Sequence, residues 1–315
     1  MNILITGGCG FIGSNFINYY FNKIIGNIIC IDALYYCASL ESINQNIRDS
    51  PRFTMIHDNL NNYNKLVTIL KDYSITHVIH FAAQSHVDNS FNDSMQYTED
   101  NVKGTHSLLE AIRNVSLKIV LLHFSTDEVY GESRLNSNIN TETSLLCPTN
   151  PYAASKAAAE MFVMSYIYSF KLKAIITRCN NVYGLNQYPE KLIPRFIKLL
   201  KNGEKCTIHG TGTSIRNFIE VYDVCTAIEI ILNKGAIGDI YNIGSDKINE
   251  YSVLDITKIL IKYIHNSDSI DEYITFVEDR PFNDTRYFIS NDKLVKLGWT
   301  QTIDFISGLK NILCL

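Results

Sequence analysis

The sequence has no excess of positive charge: 28 Lys and Arg stand against 32 Asp and Glu, a formal net charge of -4. Nucleic acid and anionic membranes recruit basic faces, so neither is an expected partner. An anionic ligand has to be met by a few local Arg and Lys side chains. No CxxC pair occurs among the eight cysteines, and no Cys/His spacing matches a zinc site. The eight histidines form no HxxxH or HExxH pattern, so no metal is expected. Several cysteines sit in apolar runs and read as small buried hydrophobes in a reducing, cytoplasmic setting. No window approaches the ~18 consecutive apolar residues of a membrane helix. The start, MNILITGG, lacks the basic residues and apolar run of a signal peptide. Low-complexity linkers and internal repeats are also missing.

What is present is a chain of 315 residues, 46% hydrophobic and 19% charged, enough for a substantial core. Short apolar runs at Ile3–Thr6, Ile28–Asp32, His77–Ala83, Lys118–Thr126 and Ala174–Cys179 read as strands buried on both faces. Helical patterns lie between them, as at Asn101–Arg113 and Pro151–Phe170. The alternation predicts an α/β fold with a Rossmann-type, doubly wound parallel sheet. The pattern changes after Gly184. Glu190–Lys201 reads as helix, Lys205–His209 as a short strand, Gly210–Gly212 as a turn and Phe218–Leu232 as helix. Ile240–Gly244 reads as a strand returning to the main sheet, with helices around Val253–Ile264 and Asp292–Leu297. The expected division is a dinucleotide-binding domain over 1–184, rejoined by 215–245. A smaller, interwoven C-terminal substrate-binding lobe is expected over 185–214 and 246–315.

The first strand runs into Gly7-Gly8-Cys9-Gly10-Phe11-Ile12-Gly13, a GxxGxxG turn that opens a helix. Glycine lets backbone approach a pyrophosphate closely, and the helix N-terminus favours its charge. A lone GxxGxxG is weak evidence. Asp32 at the end of the second strand strengthens it. A carboxylate there accepts hydrogen bonds from both hydroxyls of an adenine ribose and repels a 2′-phosphate, which favours NAD over NADP. Leu34 and Tyr35 follow on the same rim. Asp58 and Asn59 end a third apolar stretch where such folds meet adenine. Phe81-Ala82-Ala83 offers small residues where backbone passes the cofactor.

Tyr152-Ala-Ala-Ser-Lys156 is a YxxxK sequence opening a helix, with both side chains on one face. A free tyrosine titrates near ~10, and bringing it to ~7 takes roughly 4 kcal/mol. An ammonium one turn away and a positive nicotinamide ring are groups of the right sign to supply that.

Together, Gly7–Gly13, Asp32 and Tyr152–Lys156 resemble the extended short-chain dehydrogenase/reductase superfamily. There a Ser or Thr ending the fifth strand completes the catalytic set. Here that strand ends in Ser125-Thr126-Asp127-Glu128. Adjacent carboxylates at a buried strand end are costly without a purpose. The Thr-Asp-Glu triplet resembles the nucleotide-sugar 4,6-dehydratases; epimerases of the superfamily lack the acidic pair. The resemblance implies bound NAD, Tyr152 as base for a sugar 4-hydroxyl and Thr126 bonded to the 4-oxygen. It further implies Glu128 as base at carbon 5 and Asp127 as acid for water leaving carbon 6, with hydride returned to carbon 6. Ser125 is counted with the cofactor contacts, as are Tyr152 and Lys156.

By the same resemblance, Ser85, Asn181, Lys191, Leu192, Thr207 and His209 face the substrate. Arg216 and Arg280 supply cations for its diphosphate, and Asn283 joins them. The phrases Asn-Pro-Tyr-Ala-Ala-Ser-Lys and Arg-Pro-Phe-Asn-Asp are most similar to UDP-glucose 4,6-dehydratases, with UDP-N-acetylglucosamine and dTDP-glucose as the other candidates. A homodimer through the helices Asn101–Arg113 and Pro151–Phe170 is implied as well. The competing readings are a 4-epimerase and a silent NAD-binding sensor. Asp127 and Glu128 argue against the first; intact Tyr152 and Lys156 argue against the second.

Overall fold

Runs of Ile, Leu and Val without polar alternation suit the middle of a sheet covered on both faces. The computed structural model, which describes residues 1–133, 139–245, 249–278 and 284–315, puts them there. In chain order the strands are β1 (Ile3–Thr6), β2 (Ile28–Asp32), β3 (Phe53–His57), β4 (His77–His80), β5 (Val120–Thr126), β6 (Lys173–Cys179), β7 (Asn181–Tyr183), β8 (Cys206–His209), β9 (Ile215–Glu220), β10 (Ile240–Ile243), β11 (Glu250–Ser252) and β12 (Ile274–Val277). The longer helices are α1 (Phe11–Tyr20), α2 (Tyr63–Asp72), α3 (Gly104–Val115), α4 (Pro151–Phe170), α5 (Leu192–Lys201), α6 (Val221–Lys234), α7 (Val253–His265) and α8 (Phe305–Leu313).

Seven strands form one parallel sheet in the order β10-β6-β5-β4-β1-β2-β3. This is the Rossmann-type arrangement the alternation predicts, and β10 does return to it beside β6. Strand order reverses between β1 and β4, the switch point where α/β folds leave a crevice beyond the strand ends. Alternate side chains feed two cores. Ile3, Ile5, Ile28 and Cys30 pack toward α1 and α6, while Leu4, Ile29 and Ile31 pack toward α2 and α3.

A third core lies apart from these. It gathers Ile193, Phe196 and Leu200 of α5, Ile256 and Leu260 of α7, and Phe305 and Leu309 of α8. A three-stranded sheet β11-β9-β7 and the parallel pair β12-β8 frame it. Leu294 and Trp299, late in the chain, nevertheless pack into a core of the main sheet. Among the described residues no helix is long and apolar enough to cross a membrane.

Several elements differ from the sequence expectation for physical reasons. The run His77–Ala83 leaves the ladder after His80, because Ala82 must pass beneath Gly7: a Cβ on Gly7 would lie 2.6 Å from the Ala82 Cα. The stretch Phe218–Leu232 is split. Strand pairing claims residues up to Glu220, and the helix starts at Val221 with the Glu220 carboxylate capping the Tyr222 N–H at 2.5 Å. The expected helix from Asn101 begins instead with a π-helical stretch, Thr98–Lys103, and α5 starts at Leu192 rather than Glu190.

Candidate active site

At the β1 end the backbone does the shaping. Gly7 has φ +68, and a Cβ on Gly13 would sit 2.3 Å from the Gly7 carbonyl oxygen. Only glycine tolerates both demands. Gly10 caps α1 with no side chain in the way, so the first-turn N–H groups are offered to an anion. Asp32 ties this loop to β2: it accepts the Cys9 N–H at 2.9 Å and the Leu34 N–H at 2.8 Å. Burial raises its carboxyl above the ordinary value, and these two bonds work against that rise.

From this loop a cavity of about 500 Å³ runs past the end of β5 to α5 and β8. With two exceptions, every candidate residue among those described lines it. The first exception is Leu34, which holds Asp32 through its N–H from a φ of +51 and does not reach the cavity wall. The second is Asp127, next to Glu128 in the chain and 2% exposed. Arg280 and Asn283 lie outside the described residues. Among the described residues no His, Cys, Asp and Glu cluster could hold a metal, and the eight cysteines are free.

At the β5 end side chains do the shaping. The Thr126 hydroxyl donates to Asp127 Oδ1 at 3.2 Å and accepts the Glu128 N–H at 3.3 Å. Asn180 Nδ2 donates to Asp127 Oδ2 at 2.7 Å. Burial, and then the neighbouring Glu128 carboxylate, push the Asp127 carboxyl up to about 7. Burial also raises Glu128, with Asn150 and Arg216 pulling it back; Asn150 Nδ2 donates to Glu128 Oε2 at 3.0 Å. Asn150 has a second task, since its Oδ1 caps α4 at the Ala153 N–H, 2.8 Å away. The signal that starts the helix therefore also aims a carboxylate. One proton shared unequally between adjacent acids is what paired acid and base work requires.

Tyr152 and Lys156 stand on the first turns of α4, both buried. Burial, and then Glu128, hold the Tyr152 phenol above its usual range, while the Thr126 side chain lowers it by hydrogen bonding. Burial brings Lys156 down to about 8, and its Nζ donates to the Phe124 carbonyl at 2.7 Å. Within the protein alone, burial and the Glu128 carboxylate outweigh what lowers the tyrosine.

Toward α5, Lys191 Nζ donates to the Ser85 carbonyl at 2.7 Å, and Arg195 Nη2 to Thr207 at 3.1 Å. The Arg216 guanidinium lies 4.9 Å from the centre of the Tyr287 ring. Tyr287 donates to Asp284, which also accepts from Thr149 at 2.8 Å. Tyr36 donates to the cavity-lining Glu190 at 2.7 Å and packs edge-on against Tyr188. Sequence reasoning missed Asn150, Asn180, Asp284, Tyr287 and the Tyr36–Glu190 contact. The N-cap preference for Asn before a Pro-led helix signals Asn150. Asp284 closes the Arg-Pro-Phe-Asn-Asp phrase without a role given to it, and nothing local signals Tyr287.

A family model described as GDP-mannose 4,6 dehydratase matches residues 4–312. A trifunctional UDP-glucose 4,6-dehydratase, 3,5-epimerase and reductase of Arabidopsis thaliana is 44% identical over 98% of this chain. The chain spans 46% of that protein's length, about half. The dTDP-D-glucose 4,6-dehydratase of Dictyostelium discoideum is 42% identical over 98% of this chain and 80% of its own. The crystal structure of Streptomyces venezuelae dTDP-glucose 4,6-dehydratase with NAD bound superposes with a TM-score of 0.92. It is 34% identical and covers 99% of this chain and 95% of its own.

Proposed function

From the premise that this chain belongs to the GDP-mannose 4,6-dehydratase family of nucleotide-sugar enzymes, we propose that it is an NAD-dependent lyase. It converts a nucleoside-diphosphate hexose, UDP-glucose in preference, to the 4-keto-6-deoxy sugar. The observation that carries the reading is the buried pair at the end of β5: Glu128 on the cavity wall, and next to it in the chain Asp127 with its carboxyl pushed up to about 7.

The glycine cradle fits a dinucleotide, since any Cβ on Gly7 or Gly13 would collide with backbone. Asp32, on the same wall, would bond the adenine ribose. NAD, when bound, accepts hydride from carbon 4 and gives it back at carbon 6. The protein handles the protons. Tyr152 takes the proton of the 4-hydroxyl, and the Thr126 hydroxyl steadies the 4-oxygen. The ketone so formed acidifies the hydrogen on carbon 5; the Glu128 carboxylate removes it as a proton and returns a proton to carbon 5 when hydride reaches carbon 6. Asp127, protonated below about 7, gives its proton to the departing 6-hydroxyl, which leaves as water. Lys156, held by the Phe124 carbonyl, keeps a positive charge one turn from Tyr152. Arg216, with Arg280 as its partner, meets the diphosphate, and Lys191 faces the substrate.

The substrate-facing lobe is 185–214 with most of 246–315; the Asp292–Trp299 stretch, which packs on the main sheet, is excepted. Exposed Met161, Tyr168 and Phe170 on α4 support a homodimer through α3 and α4. A monomeric mass at micromolar concentration would reject that pairing. Free cysteines suit a reducing, cytoplasmic setting.

The test is incubation of the purified chain with UDP-glucose, dTDP-glucose and UDP-N-acetylglucosamine. A dehydratase gives a 4-keto product with no net NADH. A carbon-4 isomer without loss of water would make it an epimerase, and no product from any of the three would leave a binding protein.

A further inference from the structure

A chain of hydrogen bonds runs from the main sheet into the helix beside it, between the glycine loop and the Tyr152–Lys156 turn, and its central residues have no role above. His80, the last residue of β4, is 1% exposed. Its Nδ1 is 2.7 Å from Thr6 Oγ1, and its Nε2 is 2.9 Å from Thr105 Oγ1. Proton accounting fixes the tautomer. Thr105 gives its one hydroxyl proton to the Asn101 carbonyl at 2.6 Å. It must therefore accept from His80, and Nε2 carries the hydrogen. Nδ1 is then the acceptor, and Thr6 donates to it. The Thr6 oxygen is left to accept the Ala82 N–H at 3.3 Å. Donation runs one way along the whole chain, from Ala82 through Thr6, His80 and Thr105 to Asn101. A second proton on His80 would strand the Thr6 hydrogen. Burial keeps the ring neutral, holding it down to about 3.

Both ends of this chain touch the cavity's working parts. Thr6 directly precedes Gly7, and Ala82 is the residue on which Gly7 packs. Asn101 sits in the π-helical stretch Thr98–Lys103, a rare geometry frequent at functional sites. Its side chain clamps the Gln84 backbone through bonds of 2.7 and 3.0 Å and donates to Ser155 Oγ at 2.9 Å. Ser155 lies between Tyr152 and Lys156, and its hydroxyl donates to the Tyr152 carbonyl at 2.7 Å.

We propose that His80 is a positioning residue, a neutral imidazole that holds the glycine loop and the Tyr152–Lys156 turn of α4 in one register. The dinucleotide and the base that serves it then meet at a fixed separation. The base half of this statement rests on the role given to Tyr152; the dinucleotide half does not.

Two substitutions cut the chain on opposite sides. His80→Gln keeps a donor near Nε2 and loses the acceptor for Thr6. His80→Asn keeps an acceptor near Nδ1 and loses the donor to Thr105. Thr105→Val removes only the hydroxyl at constant shape, and Thr105→Ser restores it. The readouts are NAD retained per chain after gel filtration, and the single-turnover rate and pH profile of the NADH band with UDP-glucose and saturating NAD. His80→Gln should retain roughly tenfold less NAD and oxidise at close to the wild-type rate. His80→Asn and Thr105→Val should retain NAD, oxidise roughly tenfold more slowly with a displaced pH midpoint, and recover in Thr105→Ser. Parallel losses of retention and rate in every variant, tracking Tm alone, would overturn the proposal, as would no change in either. If the His80 variants do not fold, the Thr105 pair decides. If Tyr152→Phe oxidises normally, the reading of Tyr152 fails while NAD retention still judges His80.

Discussion

Two stretches of the cavity wall are built by opposite means. At β1 and β2 the walls are backbone: positive φ at Gly7, a close approach at Gly13, and Asp32 accepting two N–H groups. The Gly7–Gly13 turn is local in sequence, and Asp32 joins it from the end of the next strand. At β5 the walls are side chains whose character is set from afar. Asn180 holds Asp127, while Asn150 holds Glu128 and Arg216 tempers it. Backbone shape tolerates little substitution yet has no titration. A buried acid pair can be changed with little change of shape, but its protonation decides what it can do.

The comparison breaks first, and most severely, at Tyr152. Tyr152→Phe should stop the opening oxidation, with a loss of at least ~10²–10⁴-fold and no NADH band in a single turnover. Normal oxidation would remove Tyr152 from the mechanism. Next come the two acids. Glu128→Gln and Asp127→Asn should spare oxidation, let enzyme-bound NADH accumulate, and cut product formation by ~10²–10³-fold. Wild-type turnover in both would show that the acidic end does no proton chemistry.

The backbone end should yield differently. Gly7→Ala forces a non-glycine residue to φ +68 against Ala82, a strain of about 1–2 kcal/mol before the clash. Retained NAD should fall roughly tenfold, while oxidation with saturating NAD is largely restored. Undiminished retention would mean that the cradle is not a phosphate site. The smallest effect is pH dependence. Asp127 is protonated below about 7 and loses its proton above it, so the elimination step should weaken as pH rises through that value. Asp127→Asn should flatten this limb. A limb that persists unchanged in the variant would assign it to another group.

What the sequence revealed divides along the same line. The glycine turn, Asp32 and the YxxxK helix are local patterns, and the main sheet brings them together as their spacing predicts. In Phe218–Leu232 the helical periodicity continues through Phe218 and Ile219, while pairing with β7 makes them strand. Asp284 and Tyr287 reach the cavity from a segment far down the chain, through contacts with Thr149 and Arg216 that no local pattern encodes. Asp127 and Glu128 were visible as residues. Their burial, and hence which of them holds the proton, belongs to the tertiary structure.

The interleaving of the cores has a consequence for how the molecule can come apart. Cys179 belongs to the main-sheet side and Tyr183 to the third core. Phe218 and Ile219 divide between them, Ile243 and Ile256 divide again, and Trp299 and Phe305 divide once more. The halves are stitched rather than strung. A protease nick at any one crossing leaves the other crossings intact, so neither half is released as a fragment. An opening of the cavity is therefore confined to a hinge of several parallel strands of chain, stiffer than a single tether and limited in travel by the shortest of them.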